Sequence, residues 1–486
     1  MLLSKLLEDV PVLSEYQDID VKDVEVNSHA DLLDKAYVCI VGHNADGHEY
    51  AEQALERGAC VVICERDLNL AKQIIVSDTR KCYAIMCKHF YQDKADELML
   101  VATTGTNGKT SVTTMIQKIM TSAGIKAGLI STILAKYENE TEELDKTTPD
   151  AHTLHRLFFQ MREKDCDAVC LEASSHALDQ ERLESCRFAI GVFTNLTQDH
   201  LDYHENMEEY FNAKKKLFSM ASYGVINIDD AYGRRLIQEI EIPYATYSTE
   251  DQAADFFADE IICHNDGVSF LLHHNEIQSR VKFAIPGLYS VQNALAAIAS
   301  CMKLGISLEN ILKTLVDING IKGRSEIVKA NELFSVICDF AHTPDGLENI
   351  LKSTKQYAQG RVVILFGCGG DRDKKKRPLM GAVAAKYADY LIITSDNPRT
   401  EKPKAIIADI LKGLPKGTDF IVIPDRTEAI SYAIRTAQKD DIIILAGKGH
   451  EQYQILGDKK VYYDERRVVQ GCLKSIGIDE YIKSLK

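Results

Sequence analysis

Two kinds of hydrophobic pattern alternate along the chain. Short apolar runs that end in glycine or polar residues are typical of buried strands, and apolar residues three or four positions apart are typical of helices. Residues 36–64 show the order strand, helix, strand, and Gly58 is placed to end the helix. Because the alternation continues through the chain, it predicts an α/β fold built on parallel sheets.

A strand, a glycine-containing loop and a helix follow one another at residues 97–124. The run ELMLVATTG predicts a buried strand, and apolar positions between Val112 and Met120 predict a helix that Gly124 ends. Between them lies GTNGKT, which resembles a phosphate-binding loop shortened at its start, since Thr103 stands where the usual loop has its first glycine. A glycine turn before a surface helix is the alternative interpretation.

The loop predicts how a nucleotide would be held. Backbone amides at the helix N-terminus would bind phosphate oxygens, Lys109 would neutralise phosphate charge and Thr110 would ligate magnesium. Glu172 ends the predicted strand DAVCLE, where a carboxylate could complete the magnesium shell, although a lone Glu is more often a satisfied or exposed acid. The predicted ATP-binding residues of the loop are Gly105, Thr106, Asn107, Gly108, Lys109, Thr110 and Ser111.

One lysine stands out in the helical pattern of ENMEEYFNAKKKLFSM. On a helical wheel the aromatic and leucine residues form one apolar stripe, and Lys214 falls in its middle, with Lys215 at the edge and Lys216 on the opposite face. A lysine in that position either extends to water or is buried with a depressed pKa and a chemical role. The pattern leaves both interpretations open.

After residue 327, apolar runs again pass into glycines and charged residues. Polar residues that follow parallel strands mark the sheet edge where ligands bind. Thr343 and Pro344 predict the cap and the first position of a helix. The runs are FSVICDFAHTP, RVVILFGCGGDRD, YLIITSDNPR and DIIILAGKGHE.

Composition and charge narrow the class of protein. A length of 486 residues predicts several domains, and 45% hydrophobic with 27% charged residues describes a globular chain. The net charge of -15 argues against nucleic-acid partners. The 13 cysteines include no CxxC pair, and no run of about 18 apolar residues occurs, so we expect a cytoplasmic protein with reduced thiols and no membrane span.

Ten motifs follow one another along nearly the whole chain: GTNGKT, TTPD, EASSHALDQER, TNLTQDHLDYH, FNAKKKLF, GRSE, DFAHTPDGLENIL, FGCGGDRDKKKRPLMG, SDNPRTEKP and GKGHE. Their order and spacing resemble those of the Mur ligase family, and the shortened loop is similar to that of this family and its folylpolyglutamate synthetase relatives. The resemblance implies ATP-driven amide bond formation: ATP phosphorylates the terminal carboxylate of UDP-N-acetylmuramoyl-L-alanyl-D-glutamate, and an amino group displaces the phosphate.

The resemblance also implies roles for individual residues. Lys109 and the metal-side residues Thr110, Glu172, His200 and Lys214 would form the catalytic centre with Mg²⁺, and Lys214 would be carbamylated by carbon dioxide. Further ATP contacts would be Asn293, Arg324, Asp339 and His342. The muramoyl dipeptide site would comprise Val26, Ser28, His43, Asn44, Ala45, Thr147, Thr148, Ser174, Gln180 and Arg182.

The DNPR motif bears on which amino acid is added. Arg399 offers a planar guanidinium to a carboxylate and repels an ammonium group, and meso-diaminopimelate carries one carboxylate more than lysine at its far end. The resemblance is therefore to the diaminopimelate-adding type, although DNPR could be a plain turn. The implied amino-acid pocket comprises Arg372, Asp396, Asn397, Pro398, Arg399, Gly447 and Glu451.

The expected organisation is a small N-terminal α/β domain that binds the uridine diphosphate (1–92), a central phosphate-loop ATPase domain with a parallel sheet (93–326) and a Rossmann-like C-terminal domain that binds the amino acid (327–486). We expect a monomer with small-molecule substrates. Asn27-Ser28-His29 replaces the family's Asp-Ser-Arg, and Tyr289-Ser290 replaces its Phe-Asn. Addition of lysine or another diamino acid, a folate-type glutamate ligase, a non-catalytic nucleotide-binding relative and a scaffold protein remain alternatives.

Overall fold

The computed structural model describes residues 1–475 except 43, 44, 202, 265, 266, 319, 331 and 332, and it leaves the side chains of residues 329 and 330 undescribed. Within these residues, three sheets of four or more strands follow one another, and a two-stranded hairpin lies apart from them, which confirms the predicted α/β fold. All of the cysteines are free thiols. In the described part of the chain, no helix is long and apolar enough to cross a membrane.

The first sheet is parallel and has the strand order β1-β2-β3-β4. As predicted, the helix between β2 and β3 ends just before Gly58, which has a positive φ of 98°. The strands are β1 (Val24–Glu25), β2 (Ala36–Val38), β3 (Val61–Cys64) and β4 (Gln73–Ile75), and the helices are α1 (Leu3–Leu6), α2 (Ala51–Glu56) and α3 (Thr79–Phe90), with 3₁₀ turns at Gly47–Tyr50 and Lys94–Glu97.

The second sheet has the order β15-β14-β13-β12-β11-β10-β5-β9-β6-β7-β8. Its centre is parallel, and antiparallel strands extend both edges. The strands are β5 (Met99–Thr104), β6 (Ala127–Ile130), β7 (Ala135–Tyr137), β8 (Glu140–Glu142), β9 (Ala168–Glu172), β10 (Phe188–Phe193), β11 (Gly224–Asn227), β12 (Tyr244–Ser248), β13 (Phe256–His264), β14 (Gly267–His274) and β15 (Ile277–Phe283).

Helices pack on both faces of the second sheet and give it two apolar cores. Helix α4 begins at Lys109, directly after the loop, as the sequence predicts. The helices are α4 (Lys109–Ser122), α5 (Ala151–Glu163), α6 (Ser175–Asp179), α7 (Met207–Ser219), α8 (Ala231–Glu239), α9 (Leu288–Lys303) and α10 (Leu308–Asp317).

The third sheet has the order β16-β17-β21-β18-β19-β20, parallel except for the edge strand β16. Thr343 caps α11 and Pro344 is its first residue, as predicted. The strands are β16 (Glu326–Ala330), β17 (Phe334–Asp339), β18 (Val362–Phe366), β19 (Tyr390–Ile393), β20 (Phe420–Val422), β21 (Asp441–Ala446) and the separate hairpin β22 (Tyr453–Leu456) and β23 (Lys459–Tyr462). The helices are α11 (Pro344–Tyr357), α12 (Lys376–Tyr387), α13 (Pro403–Leu411), α14 (Arg426–Arg435) and α15 (Glu465–Ser475).

Candidate active site

The loop between β5 and α4 has a backbone that only glycine fits at two positions. Gly105 and Gly108 have positive φ values of 148° and 87°, and a Cβ at Gly105 would lie 1.8 Å from the hydroxyl of Thr194. Asn195 fixes the loop from the end of β10, because its carbonyl oxygen accepts from Thr106 N at 2.9 Å and its side-chain oxygen accepts from Asn107 N at 2.8 Å. The loop is thus held open at the N-terminus of α4, as a phosphate site requires.

Lys109 folds back over this loop. Its Nζ donates to the carbonyl oxygens of Gly105 at 2.8 Å and Thr106 at 2.9 Å. Burial lowers the pKa of Lys109. Within the described residues Lys109 has no carboxylate partner at ion-pair distance. A cation without an anion at this position suits a phosphate group.

The helical-wheel prediction for Lys214 is resolved in favour of burial. Its side chain is 1% exposed, Nζ donates to the Gly105 carbonyl oxygen at 2.8 Å and lies 4.5 Å from the Tyr210 ring centre. Burial and the neighbouring Lys109 lower the pKa of Lys214 well below its usual value. Helix α7 therefore brings a readily deprotonated amine to the phosphate loop.

Glu172 is a buried carboxylate at the end of β9. Its oxygens accept from Thr132 N at 2.8 Å and from the Thr132 hydroxyl at 3.0 Å, and no basic side chain of the described residues forms an ion pair with it. Thr110 is 1% exposed, and its hydroxyl accepts from Arg324 Nη2 at 3.0 Å. An unpaired buried carboxylate and a hydroxyl are oxygen donors of the kind that Mg²⁺ prefers, so the residues present fit this ion.

The described residues contain no group of three or more His, Cys, Asp or Glu side chains that could hold a metal by themselves. The ring of His200 lies edge-on to that of His176 with 4.9 Å between ring centres, and its Nε2 is 3.4 Å from Asp199 Oδ2. A magnesium site here would need the hydroxyl of Thr110 and ligand oxygens as well as Glu172.

Residues next to β16 and β17 contact or face the loop: Arg324 precedes β16, Asp339 ends β17 and Asp345 lies in α11. Asn107 Nδ2 donates to Asp345 Oδ2 at 2.6 Å, and Arg324 reaches Thr110 as described above. Asp339 accepts from Ser325 N at 2.6 Å and from Ala341 N at 2.7 Å. The cavity enclosed between loop and sheet, about 100 Å³, is lined by the predicted ATP residues Asn107, Gly108, Ser111, Asn293, Arg324 and Asp339, together with Tyr289 and Ser290.

His342 lies just outside that cavity. Its Nε2 is 3.8 Å from Oδ2 of Asp199, which lies in the loop after β10 of the second sheet. Burial and the nearby Lys376 lower the pKa of His342 to about 4. Lys376 itself is 3.9 Å from Asp199 Oδ1. These contacts join the segment that carries the second sheet to the segment that carries the third sheet.

A second cavity of about 400 Å³ lies between the first and second sheets. Among its lining residues are Val26, Ser28, Ala45, Gln180 and Arg182, which the sequence analysis assigns to the muramoyl dipeptide. His43 and Asn44 lie outside the described residues. Arg80, which the sequence analysis did not single out, also lines it.

A chain of hydrogen bonds runs from this cavity to Glu172. Arg182 Nη1 donates to the Thr148 carbonyl oxygen at 2.7 Å, and the Thr148 hydroxyl donates to the Glu172 carbonyl oxygen at 2.7 Å and lies 3.1 Å from the Ser174 hydroxyl. The Thr147 hydroxyl lies 3.1 Å from that of Thr132. The predicted dipeptide residues therefore lead from the second cavity towards the phosphate loop.

The residues that the sequence analysis assigns to the amino acid follow the ends of β18, β19 and β21. Arg399 has a positive φ of 50°, and its Nη1 donates to the carbonyl oxygens of Gly370 at 2.9 Å and Asn397 at 3.4 Å. Burial and the neighbouring Arg372 lower the pKa of Arg399. Neither arginine forms an ion pair with a carboxylate of the described residues. Two adjacent guanidinium groups without a counterion fit a ligand carboxylate.

Glu451 and Asp396 are two carboxylates of the same predicted set. Glu451 Oε2 accepts from Asn397 Nδ2 at 2.9 Å. Asp396 Oδ2 is buried and has no hydrogen-bond partner in the described part of the chain, and a Cβ at Gly447 would lie 2.6 Å from it. Gly447 therefore keeps space beside this carboxylate. Pro398 follows Asn397 in the same loop, and its carbonyl oxygen accepts from Glu401 N.

Comparison with known proteins identifies the family. Models of three Mur ligase parts match the chain: the Mur ligase family catalytic domain at residues 27–95, the Mur ligase middle domain at 103–301, and the Mur ligase glutamate ligase domain at 323–449. The chain belongs to the Mur ligase family. Mur ligases use ATP and Mg²⁺, in agreement with the loop and the oxygen donors described above.

Relatives are similar over nearly the full length. The chain is 43% identical to the UDP-N-acetylmuramoyl-L-alanyl-D-glutamate–2,6-diaminopimelate ligase of Clostridioides difficile (94% of this chain, 96% of the relative). It is 40% identical to ligase 1 of that name from Clostridium acetobutylicum (98% and 100%). A solved structure of a ligase of that name is 32% identical, with a TM-score of 0.68, over 94% of this chain and 95% of that one.

The fold extends to more distant proteins. Folylpolyglutamate synthase of Mycobacterium tuberculosis matches with a TM-score of 0.62 at 14% identity, over 74% of this chain and 91% of that one. At this identity the match shows a shared fold only.

Sequence reasoning missed two buried cations of the amino-acid pocket. Lys448 stands inside the GKGHE motif but is fully buried, which the motif alone does not reveal. Arg426 belongs to no motif; it donates to Glu465 at 2.7 Å, to the Ser395 carbonyl oxygen at 3.2 Å and to that of Ala446 at 2.8 Å. It thereby ties the ends of β19 and β21 together from behind the pocket.

Proposed function

We propose that the protein is an ATP-dependent ligase that joins meso-diaminopimelate to UDP-N-acetylmuramoyl-L-alanyl-D-glutamate in the synthesis of peptidoglycan precursors. The choice of amino acid rests on Arg399 and Arg372. Both lack a carboxylate partner among the described residues, and they lie beside Asn397 and Glu451. The relatives at 40% to 43% identity, which are named for this reaction, support the proposal.

The phosphate loop would bind ATP, and the second cavity would bind the nucleotide end of the muramoyl dipeptide. Lys109 would stabilise the charge that develops on the transferred phosphoryl group, since it is a buried cation with no carboxylate partner among the described residues. Mg²⁺, when bound, would neutralise phosphate charge and orient the phosphates, and Thr110 and Glu172 are its candidate ligands. The hydrogen-bonded path through Thr148 and Arg182 would place the terminal carboxylate near the loop.

The amino group of the incoming amino acid must be unprotonated and close to the activated carboxylate. Arg399 and Arg372 would hold the far carboxylate of meso-diaminopimelate, and Glu451 with Asn397 would hold its far ammonium group. L-Lysine lacks that carboxylate, so it would leave the two guanidinium groups without a partner. Discrimination against lysine would follow from this unpaired charge.

Lys214 is proposed to be carbamylated. Its unprotonated amine would attack carbon dioxide, forming an N–C bond and releasing one proton, which converts a neutral amine into an anion. Complete burial, the nearby Lys109 and the lowered pKa support this assignment, because they disfavour the ammonium form. His200 would complete the metal-side group, as the family resemblance implies.

Three domains are proposed: residues 1–92, 93–326 and 327–486. Each sheet lies within one of these segments, apart from Glu326, the first residue of β16. We further propose that the protein acts in the cytoplasm as a monomer. The domain bounds, the cytoplasmic location and the monomeric state are proposed from the resemblance to the family.

The test is phosphate release from ATP in the presence of Mg²⁺ and the muramoyl dipeptide. Release that requires both the dipeptide and meso-diaminopimelate is expected. Release with lysine alone would keep the ligase and overturn the amino-acid assignment. Release with a folate substrate and glutamate would favour the folate-type ligase. Absence of release with every acceptor tested would favour a non-catalytic nucleotide-binding protein.

A further inference from the structure

Lys448 is the most completely enclosed charge in the loop that follows β21. Its side chain is 0% exposed. Nζ donates to Asn397 Oδ1 at 2.9 Å, to Glu451 Oε2 at 3.2 Å and to the Tyr453 carbonyl oxygen at 2.8 Å. An ammonium group has three N–H donors, so these contacts use all of them. Lys448 therefore has no donor left for a ligand, and its effect on a ligand must pass through its partners.

The contacts of Lys448 set the orientation of the Asn397 amide. Asn397 Oδ1 accepts from Lys448 Nζ and also from Ile455 N at 3.1 Å. Because both acceptor positions of this oxygen are filled, Nδ2 must point the other way, where it donates to Glu451 Oε2 at 2.9 Å. A reversed amide would place an N–H donor against two other donors.

The same lysine favours the ionised form of Glu451. Burial and the neighbouring Asp396 raise the pKa of Glu451, and Lys448 opposes them. Lys448 also opposes the effect of burial on Asp396, whose pKa is lowered. Without Lys448, two buried carboxylates would face each other with less compensation, and Glu451 would take up a proton more readily. A protonated Glu451 cannot accept an ammonium group as an ion pair.

Lys448 also connects three parts of the pocket wall. Asn397 lies in the loop after β19, Glu451 in the loop after β21, and Tyr453 begins the hairpin β22–β23. The hairpin is fastened to the first loop as well, since Arg399 N donates to the Ile455 carbonyl oxygen at 3.2 Å and Gly457 N donates to that of Arg399 at 2.9 Å. One buried charge thus fixes the relative positions of the groups around Arg399.

We propose that Lys448 is a positioning residue for the acceptor amino acid, which holds the Asn397 amide and the Glu451 carboxylate in the arrangement that binds the far end of meso-diaminopimelate. The inference rests on the proposed function. It assigns to Lys448 no contact with substrate and no part in phosphoryl transfer.

The test compares steady-state kinetics of the full-length protein and K448M, which keeps the length of the side chain but removes its charge and donors. The KM for meso-diaminopimelate is expected to rise about tenfold or more, since the three charge-assisted hydrogen bonds that hold Asn397, Glu451 and the Tyr453 carbonyl are lost. The KM values for ATP and for the muramoyl dipeptide are expected to stay within about twofold of the wild-type values. K448Q, which keeps two N–H donors without the charge, is expected to fall between wild type and K448M.

R361M is the matched control for loss of stability. Arg361 forms an ion pair with Asp441 at 2.7 Å, at the opposite end of the same sheet. The control is expected to lower the melting temperature without changing the KM for meso-diaminopimelate. A parallel rise in the KM values of all three substrates in K448M and K448Q would indicate a merely structural role and overturn the inference.

A double variant separates positioning from general damage. If Lys448 acts through Glu451, adding K448M to E451Q is expected to change the KM for meso-diaminopimelate by less than about twofold, because its target is already altered. If the fold-changes in KM caused by K448M and by E451Q multiply in the double variant, Lys448 does not act through Glu451. Should K448M fail to fold, K448Q in the same cycle decides between these outcomes. Failure of the wild-type protein to use meso-diaminopimelate would overturn the proposed function instead, which the same assay reveals.

Discussion

Lys214 Nζ and Lys109 Nζ both donate to the carbonyl oxygen of Gly105, each at 2.8 Å. Two buried ammonium groups at one oxygen repel each other, and this repulsion together with burial lowers the pKa of Lys214 well below its usual value. The arrangement becomes favourable when one of the two lysines carries a negative charge. Carbamylation of Lys214 would supply that charge and leave Lys109 as the cation for phosphate.

Carbamylation predicts a dependence on carbon dioxide. Activity of the wild-type protein is expected to fall in buffer depleted of carbon dioxide and to return when bicarbonate is added. K214M is expected to lose at least about a hundredfold in kcat, since a ligand-side anion would be replaced by an apolar group. Lys215, the next residue on α7, is the control, and K215M is expected to keep wild-type activity and its response to bicarbonate. A carbamate carbon signal in ¹³C NMR with labelled bicarbonate checks the modification; its presence in K214M would contradict the assignment.

Lys109 is predicted to act on the transferred phosphoryl group. K109M is expected to lower kcat about a thousandfold, which is the usual effect of removing a group that stabilises developing charge. The melting temperature should change little or rise, because a desolvated cation is removed. K118M, at the other end of α4, serves as the control. A K109M protein with wild-type kcat would show that another cation fills this role.

Arg399 is predicted to set the choice of amino acid. R399A is expected to lower kcat/KM for meso-diaminopimelate by about ten- to a hundredfold, corresponding to the loss of a charge-assisted hydrogen bond of about 1.5–3 kcal/mol. The value for L-lysine should change far less, so the ratio of the two falls. K404A, an exposed charge change on α13, controls for general effects. Equal losses for both amino acids would argue against the role of Arg399.

We predict that His155 makes the free energy of unfolding depend on pH. The residue is 1% exposed on α5, its Nε2 pairs with the Ser185 hydroxyl at 2.8 Å, and burial lowers its pKa to about 3 from an ordinary 6.5. Between these values the unfolded chain binds the extra proton and the folded chain does not, so the free energy of unfolding falls as the pH drops below about 6.5. At pH 5 the loss from this group is about 2 kcal/mol.

The measurement is chemical denaturation at pH 7 and pH 5 for the wild-type protein and H155Q, which keeps a donor for Ser185. The wild type is expected to lose more stability than H155Q between the two values. H264Q, a change at an exposed histidine, should follow the wild type. Identical pH dependence of wild type and H155Q would show that His155 does not contribute.

Several features of the site were predictable because they depend on short-range patterns. The phosphate loop follows from a strand, two glycines and a helix, and the choice of Lys214 among three adjacent lysines follows from its place on the apolar stripe of α7. The same pattern does not show whether that lysine is buried or extends to water. The packing of α7 against the loop decides it.

Other features depend on contacts between distant parts of the chain. Arg426 reaches the ends of β19 and β21 through partners 20 to 39 positions away, and Lys448 contacts Asn397 across 51 positions. The spacing of apolar residues along the chain does not show which distant residues are in contact. The antiparallel strands at the edges of the central sheet were missed for the same reason, since strand order is fixed by tertiary packing.

The most direct test of the central claim is a competition for the acceptor site. The protein is incubated with ATP, Mg²⁺, the muramoyl dipeptide and equal concentrations of meso-diaminopimelate and L-lysine, and the nucleotide product is identified by its mass. Addition of meso-diaminopimelate in large excess over lysine is the result we predict. A product that carries lysine, or no product while the protein still binds ATP, would contradict the account.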